Sequence, residues 1–437
     1  MELGFETIGN ATLICHDRGP VLATDPWIAG SAYFGSWITS HEIPPEQLAH
    51  VKACPYLWIS HGHPDHLSAE SLAGLRDKEL LLPDHYGGRI ARELAAQGFR
   101  VRVLADGVWT PLSERLRVAS VSNVAQDAVL LVDLDGELLI DSNDATDTGA
   151  AALVYAAVQK SRRAYLLCLS GYGDADMINF HDEQGRRIPP PALAKEPFLS
   201  GIEGILSAFG IRGYVPFSSQ HRYQRTDSAW ANACATPIDV YRTRFESADK
   251  ELLPVFCRFD LARDDVRAIG PRERPEVLHA PEEFGDTWSD ELEREDVAKI
   301  RAYFARFEHL RSFLGWVNFR VGGKDNRIDI APGHALGVTF EAPRASLMTV
   351  IEHRVFDDLM IGNYARTILH GPWTRPPTQA LYPDFNPFVA KYGDNGGAHT
   401  RAELVAYFAE YRRRGFLTPL ADESGRLLAR SMEPYRA

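Results

Sequence analysis

The chain has 437 residues, 45% of them hydrophobic and 24% charged. That is the balance of a soluble globular protein with apolar material for two units, and it excludes a disordered chain or a coiled coil. Lys and Arg number 47 against 59 Asp and Glu, a formal charge of −12, so phosphate backbones and anionic lipid are repelled and neither nucleic acid nor membrane is an expected partner.

No run reaches the roughly 20 apolar residues that span a bilayer. The N-terminus, Met1-Glu2-Leu3-Gly4, lacks the basic start of a signal peptide, so a cytoplasmic location is expected. Cys15, Cys54, Cys168, Cys234 and Cys257 form no C-x-x-C pair and read as buried free thiols.

In chain order, β-rich runs predict strands over 3–8, 11–15 and 21–24, with a polar His16-Asp17-Arg18-Gly19 turn. Further strands are expected over 57–59, 79–82, 101–104, 116–120, 128–134 and 137–140, the last two joined by an Asp135-Gly136 hairpin turn. Helical patterns cover 68–76, 88–97 and 149–160, and a helix over 202–209 leads to a strand over 213–216. Strands interleaved with helices predict a layered α/β sandwich over residues 1–270.

Residues 271–285, with Pro271, Pro275 and Pro281 and mixed charge, read as a linker. A smaller α+β domain is expected over 286–437. It opens with a helix over 290–313, capped by Asp290, with Val297, Ile300, Phe304, Phe307 and Leu310 on one face. Strands over 315–321, 327–330 and 336–340 and helices over 346–352 and 401–413 follow.

The strongest chemical signal is Ser60-His61-Gly62-His63-Pro64-Asp65-His66-Leu67-Ser68, directly after the strand over 57–59. His61, His63, Asp65 and His66 supply three imidazoles and a carboxylate on one turn, a donor set for a metal ion. Without a metal, such a group at a strand end would be buried unpaired or left idle.

This H-x-H-x-D-H run resembles the signature of the metallo-β-lactamase superfamily, which implies an αββα sandwich carrying one or two metal ions at the sheet edge. The resemblance extends to Asp25, in Ala23-Thr24-Asp25-Pro26-Trp27, as the residue that steadies the metal loop by hydrogen bonds. It makes Asp144 the bridging aspartate, with Asp141 a nearby rival, and His221 the last histidine ligand. The chain departs from the pattern where a further histidine belongs: the matching stretch is Ser122-Asn123-Val124-Ala125-Gln126-Asp127-Ala128, and no histidine occurs between His85 and His181. Either Asn123 or Asp127 supplies an oxygen ligand there, or one metal position has fewer protein ligands. An oxygen in place of an imidazole shifts preference from zinc toward iron(II) or manganese, so iron is the favoured metal, with zinc and manganese as alternatives.

Within the superfamily, the stretches Asp25-Pro26-Trp27-Ile28-Ala29-Gly30-Ser31-Ala32-Tyr33, Gly35-Ser36-Trp37, His41-Glu42 and Trp58 through Ser68 are similar to those of CMP-N-acetylneuraminate hydroxylases. The similarity resumes at Val355-Phe356-Asp357-Asp358-Leu359-Met360-Ile361-Gly362-Asn363. It implies an iron centre that hydroxylates a sugar nucleotide with electrons from a Rieske cluster. The C-x-H and C-x-x-H spacings of such a cluster do not occur in this sequence, so the expected electron source is an external donor protein or the substrate.

Two activities follow. The first is a non-haem iron oxygenase, with one or two irons held by His61, His63, Asp65, His66, Asp144 and His221, acting on a polar, anionic small metabolite. The second is a metallohydrolase that cleaves a lactone, amide or phosphoester with metal-bound hydroxide, Asp65 acting as the catalytic group that orients the nucleophile. The family resemblance and the missing histidine favour the oxygenase. Arg222, Tyr223 and Arg225, just past His221, are expected to hold the substrate's anionic group, and the glycine-bearing loop over 171–181 is expected to wall the pocket.

Overall fold

The computed structural model describes residues 1–145, 150–169, 178–195, 199–375, 380–381 and 384–414. Among them, one sheet has eight strands, in the order Asp265–Ala268, Cys257–Asp260, Leu3–Ile8, Thr12–Asp17, Pro20–Thr24, Tyr56–Trp58, Glu79–Pro83 and Arg100–Leu104. The first five pair antiparallel, and the short turns after Ile8 and Asp17 suit that arrangement. From Pro20–Thr24 onward the pairing is parallel, because the helices Pro45–Ala53, Ala69–Ala73 and Arg89–Ala96 supply the crossovers that parallel neighbours need.

A second sheet of seven strands runs Glu251–Leu252, Gly213–Pro216, Arg163–Cys168, Glu137–Asn143, Ala128–Leu134, Leu116–Ser122 and Thr110–Pro111. Side chains alternate across both sheets with period two. Leu13, Trp58 and Leu81 of the first sheet and Leu130, Leu139 and Tyr165 of the second fill the space between the sheets. Their chain neighbours point the other way. Ile14, Leu57 and Leu80 meet Val51, Leu72 and Leu94 of the outer helices, while Leu131, Ile140 and Leu166 meet Val158 and Leu206. The result is the expected αββα sandwich, with runs such as Leu130-Leu131 and Leu139-Ile140 feeding two cores at once.

A third sheet, of five strands, gathers most of the C-terminal part of the chain, in the order Phe180–His181, Arg366–His370, Leu336–Glu341, Leu314–Val321 and Lys324–Asp329. Its first strand belongs to the N-terminal part of the chain and pairs parallel with Arg366–His370. The core is shared as well: Trp27, Tyr33, Trp37 and Tyr223 pack with Ile300, Phe304, Phe340 and Phe356. Packing is therefore continuous across residue 270.

Residues 271–285 run as a pinned strap. The Glu42 amide donates to Arg272 O at 2.8 Å, that of Arg274 to Ser40 O at 2.9 Å, and that of His279 to Gln224 O at 2.8 Å. The helix expected over 290–313 is shorter, Arg294–Ala305. The Glu293 amide donates to Asp296 Oδ2 at 2.9 Å, which fixes the helix start three residues beyond the expected cap, and a separate turn, His309–Ser312, follows. The five cysteines are free, and four of them are buried. Among the described residues, no helix is long and apolar enough to cross a membrane.

A buried ion pair fastens the two units. Arg225, 0% exposed, donates to Asp286 Oδ2 at 2.7 Å and to Phe34 O at 2.9 Å, and grips Asp227 through two bonds of 3.0 and 2.8 Å. Asp286 in turn accepts from the Ser346 amide at 3.0 Å, at the start of the helix Arg344–His353. Arg225→Met leaves Asp286 buried without its cation and is expected to cost about 3–5 kcal/mol. Urea denaturation checks this: a loss under about 1 kcal/mol would show that the pair does not hold the units together.

Candidate metal centre

The strand Tyr56–Trp58 delivers the histidine loop to the edge of the eight-stranded sheet, and Asp25 fixes it there. Asp25 follows the adjacent parallel strand Pro20–Thr24, at φ +38°. It accepts the Ser60 amide at 2.8 Å and the Ser60 hydroxyl at 2.7 Å, and its Oδ2 lies 2.9 Å from His66 Nδ1. His85 supports the same loop, with Nε2 2.9 Å from Ser60 O.

A carboxylate on Nδ1 draws the imidazole proton there and leaves a lone pair on Nε2. His66 Nε2 lies 3.2 Å from Asp144 Oδ2 and 3.3 Å from Asp65 Oδ2, hydrogen-bonded to neither. A lone pair facing two carboxylate oxygens is repulsive unless a cation lies between them. In the metal-free chain a proton on Nε2 meets this demand, since against the effect of burial Asp65, Asp144 and Asp25 push the His66 pKa well up, and a metal ion bound there takes that proton's place.

His61 is 2% exposed, and burial, with His66 and His63 beside it, pushes its pKa well down, so it is a neutral imidazole. Its Nε2 lies 3.9 Å from Asp144 Oδ2, and Asp144 Oδ1 is buried without a hydrogen bond. His61, His66 and Asp144 each present one donor atom, all within 4.8 Å of one another. These residues fit a metal ion.

Asp65 accepts the Tyr33 hydroxyl on Oδ1 at 2.6 Å and the Asn10 amide on Oδ2 at 2.9 Å. Burial works against its charge, but His66, His63 and the Tyr33 bond hold it below the usual carboxylate range. It is an ionised donor and a weak proton acceptor. Asn10 also takes the Gln220 amide on Oδ1 at 2.8 Å, and so ties the His221 segment to the metal loop. The His221 ring lies flat on Trp37, centroids 3.5 Å apart at an interplanar angle of 2°, where the short strands His221–Tyr223 and Trp37–Thr39 pair. Asp141 is fully buried, with burial and the Asp25 charge pushing its pKa well up, and the donor group of His61 and His66 includes Asp144 in its place.

Residues far along the chain join this centre. His63 Nδ1 is 2.9 Å from His61 Nε2, and His63 Nε2 is 3.1 Å from Asp357 Oδ2, on the helix Phe356–Ile361. Burial opposes the Asp357 charge, but His63 and Lys391 bring its pKa down to about 2. Its neighbour Asp358 moves the other way, pushed well up by burial and by Asp357 and Asp65. Lys391 Nζ lies 3.6 Å from Asp127 Oδ1 and 3.9 Å from Asp357 Oδ2, on the π-helical segment Pro387–Asn395.

Several sequence expectations are corrected by this geometry. Asn123 Oδ1 accepts the amides of Ala125 at 2.8 Å and Asp127 at 3.0 Å, so it closes its own turn, a common use of asparagine. Asp127 pairs with Lys391, so the oxygens of both residues already have partners within the chain. Arg222 is bound by Glu273 and by Arg274 O, Arg225 by Asp227 and Asp286, and the Tyr223 hydroxyl accepts from Asn363 Nδ2 at 2.9 Å. These three hold the strap and the C-terminal unit, and the expected anion clamp has no free guanidinium. Of the loop over 171–181, residues 171–177 lie outside the described residues. Asp357, Asp358, Lys391, Tyr33 and Asn10 were not expected at the centre. The run that contains Asp357 and Asp358 was visible only as a family similarity.

A second polar group, Glu6, His16 and His50, lies within metal-binding distance but is closed by protein. Glu6 Oε2 is 2.7 Å from His50 Nδ1 and 3.2 Å from His16 Nε2, Oε1 accepts from Gln47 at 3.3 Å, and Arg258 stands 3.7 Å away.

The αββα layers, the H-x-H-x-D-H loop after a parallel strand and Asp144 at the end of Glu137–Asn143 define a metallo-β-lactamase fold. No protein-family model matches the chain. The chain is 28% identical over 131 residues to the cytidine monophosphate-N-acetylneuraminic acid hydroxylase of Danio rerio, a match covering 28% of this chain and 22% of that protein. Against the hydroxylase of Asterias rubens it is 25% identical over 142 residues, covering 30% and 22%. The match thus spans about a fifth of the length of these relatives. Among solved structures, CmlA, a diiron β-hydroxylase from Streptomyces venezuelae, superposes with a TM-score of 0.39 at 14% identity, over 60% of this chain and 54% of that one.

Asp25→Asn keeps the shape of the side chain but lets an amide face Ser60 and His66. The loss expected from removing such a ligand-orienting carboxylate is about 10–100-fold in metal affinity, with the fold retained. Competition against a chelator, with circular dichroism as the control, measures it. Unchanged affinity would mean that Asp25 does not set His66.

Proposed function

We propose that the chain is a metal-dependent enzyme, a non-haem iron oxygenase that hydroxylates or oxidises a polar small metabolite. The observation that carries this reading is the convergence of His61, His66 and Asp144 within 4.8 Å. Two imidazoles and one carboxylate that leave coordination positions open are the donor set suited to non-haem iron(II) oxygenation. The partial match to relatives named as hydroxylases supports the same direction.

Iron bound by His61, His66 and Asp144, with Asp65 beside them, would supply dioxygen activation. The chain's own part is to hold the donors in the correct protonation state. Asp25 keeps the proton of His66 on Nδ1, burial keeps His61 neutral, and Tyr33 with Asn10 fixes Asp65 as a carboxylate. Oxygenation of this kind also consumes two electrons, which are assigned to an external donor protein or to the substrate.

The hydrolytic alternative, in which Asp65 orients a metal-bound hydroxide, uses the same donors, and the identity of the metal separates the two. With Arg222 and Arg225 engaged elsewhere, an anionic substrate has lost its expected clamp, and the substrate class is left as polar.

Protein produced without added metal and purified under nitrogen is expected to carry iron, by inductively coupled plasma mass spectrometry, and to consume oxygen when a reductant is supplied. His66→Ala should abolish both while the fold persists. Zinc or manganese alone, with turnover of a lactone, amide or phosphoester and no oxygen uptake, would replace the oxygenase by the hydrolase.

A further inference from the structure

We infer that the centre holds a single metal ion and that the Lys391 ammonium takes the electrostatic place of a second. This rests on the metal reading of His61, His66 and Asp144, and not on which metal binds there.

Two donor groups lie side by side: His61, His66 and Asp144 in one, and His63, Asp357 and Asp358 in the other. They differ in what they lack. The first presents His66 Nε2 and Asp144 Oδ1 buried without a hydrogen bond, and no lysine or arginine nitrogen lies within 4 Å of its carboxylate among the described residues. The second already has its partners. His63 Nε2 is 3.1 Å from Asp357 Oδ2, and the same oxygen has the Lys391 ammonium 3.9 Å away.

Lys391 is placed by structure rather than by chance exposure. It sits in the π-helical segment Pro387–Asn395, most of which is buried, and its side chain is 12% exposed. Its second partner, Asp127 at 3.6 Å, comes from the stretch where a histidine was expected and none occurs. The position that lacks an imidazole donor thus contributes a carboxylate, and that carboxylate faces a lysine. A divalent ion at the second group would stand within a few ångströms of a fixed ammonium, with His63 Nε2 committed to Asp357. Like charges at that range in a poorly solvated site repel strongly, so the second group is neutralised by the chain itself.

The test is metal stoichiometry after anaerobic reconstitution with iron(II), manganese(II) or zinc(II) and desalting, read by inductively coupled plasma mass spectrometry. Wild type is expected to retain one ion per chain. Lys391→Met, which removes the cation but leaves the carboxylates, should rise to two, and Lys391→Arg should stay at one. Two ions per chain in wild type would overturn the inference, as would Lys391→Met remaining at one while folded. Should Lys391→Met fail to fold, electron paramagnetic resonance of the manganese-loaded wild type decides: an isolated single-ion sextet is expected, and an exchange-coupled pair refutes it. Zinc alone at one per chain in the protein as purified would sink the oxygenase and leave this inference standing, whereas iron at two per chain would do the reverse. No bound ion at all would overturn both.

Discussion

The centre depends on one buried carboxylate. Asp25 is inaccessible to solvent, and a buried charge is stable only when donors surround it. Ser60 and His66 are those donors, so the requirement of Asp25 for hydrogen bonds and the placement of the metal loop are the same fact. The strands that carry the two sides, Pro20–Thr24 and Tyr56–Trp58, are parallel neighbours, which brings their C-terminal ends together. From that point outward the logic is a chain of paired needs. His66 is oriented by Asp25, Asp65 by Tyr33 and Asn10, and His63 by Asp357.

The last of these links crosses between the units. Asp357 lies 294 residues from its partner in sequence and is brought there by a helix that packs Phe356 and Leu359 into the core shared with Tyr33 and Trp37. The same shared core seats Tyr33, whose hydroxyl holds Asp65. The C-terminal unit is thus part of the site's support rather than an appendage. The buried Arg225 cluster has a matching role: the residue that sequence spacing offers as a substrate clamp works as a fastener between units.

How much of this was legible in the sequence follows from the range of each interaction. Local patterns were read well: the alternation of Leu130-Leu131 and Leu139-Ile140, the Asp135-Gly136 turn and the histidine loop all carry their signals within a dozen residues. Asp25 entered the sequence reading because a family resemblance supplied a long-range partner that periodicity does not. What failed were inferences from adjacency. Arg222 and Arg225 stand beside His221 in sequence, but their charges point to the strap and the C-terminal unit. Asn123 stands where a ligand was wanted, yet the nearest amides to its oxygen are its own neighbours. Lys391 carries no local signal at all, since its meaning comes only from the carboxylates that the fold sets beside it. The proline-rich strap is pinned for a related reason: proline removes a donor but leaves the carbonyls and the other amides free to hold the segment.

The strand Phe180–His181, which leaves the N-terminal sandwich to pair with Arg366–His370, has a bearing on how the molecule forms. Its partner emerges almost two hundred residues later in synthesis, so the sandwich must wait with an open segment and an uncovered aromatic face until the rest of the chain has been made. Closing such a long loop is an entropic cost met before any contact repays it, and topologies rich in distant contacts fold slowly and expose sticky intermediates. Assembly of this centre therefore waits on the part of the chain made last, which supplies Asp357 to His63.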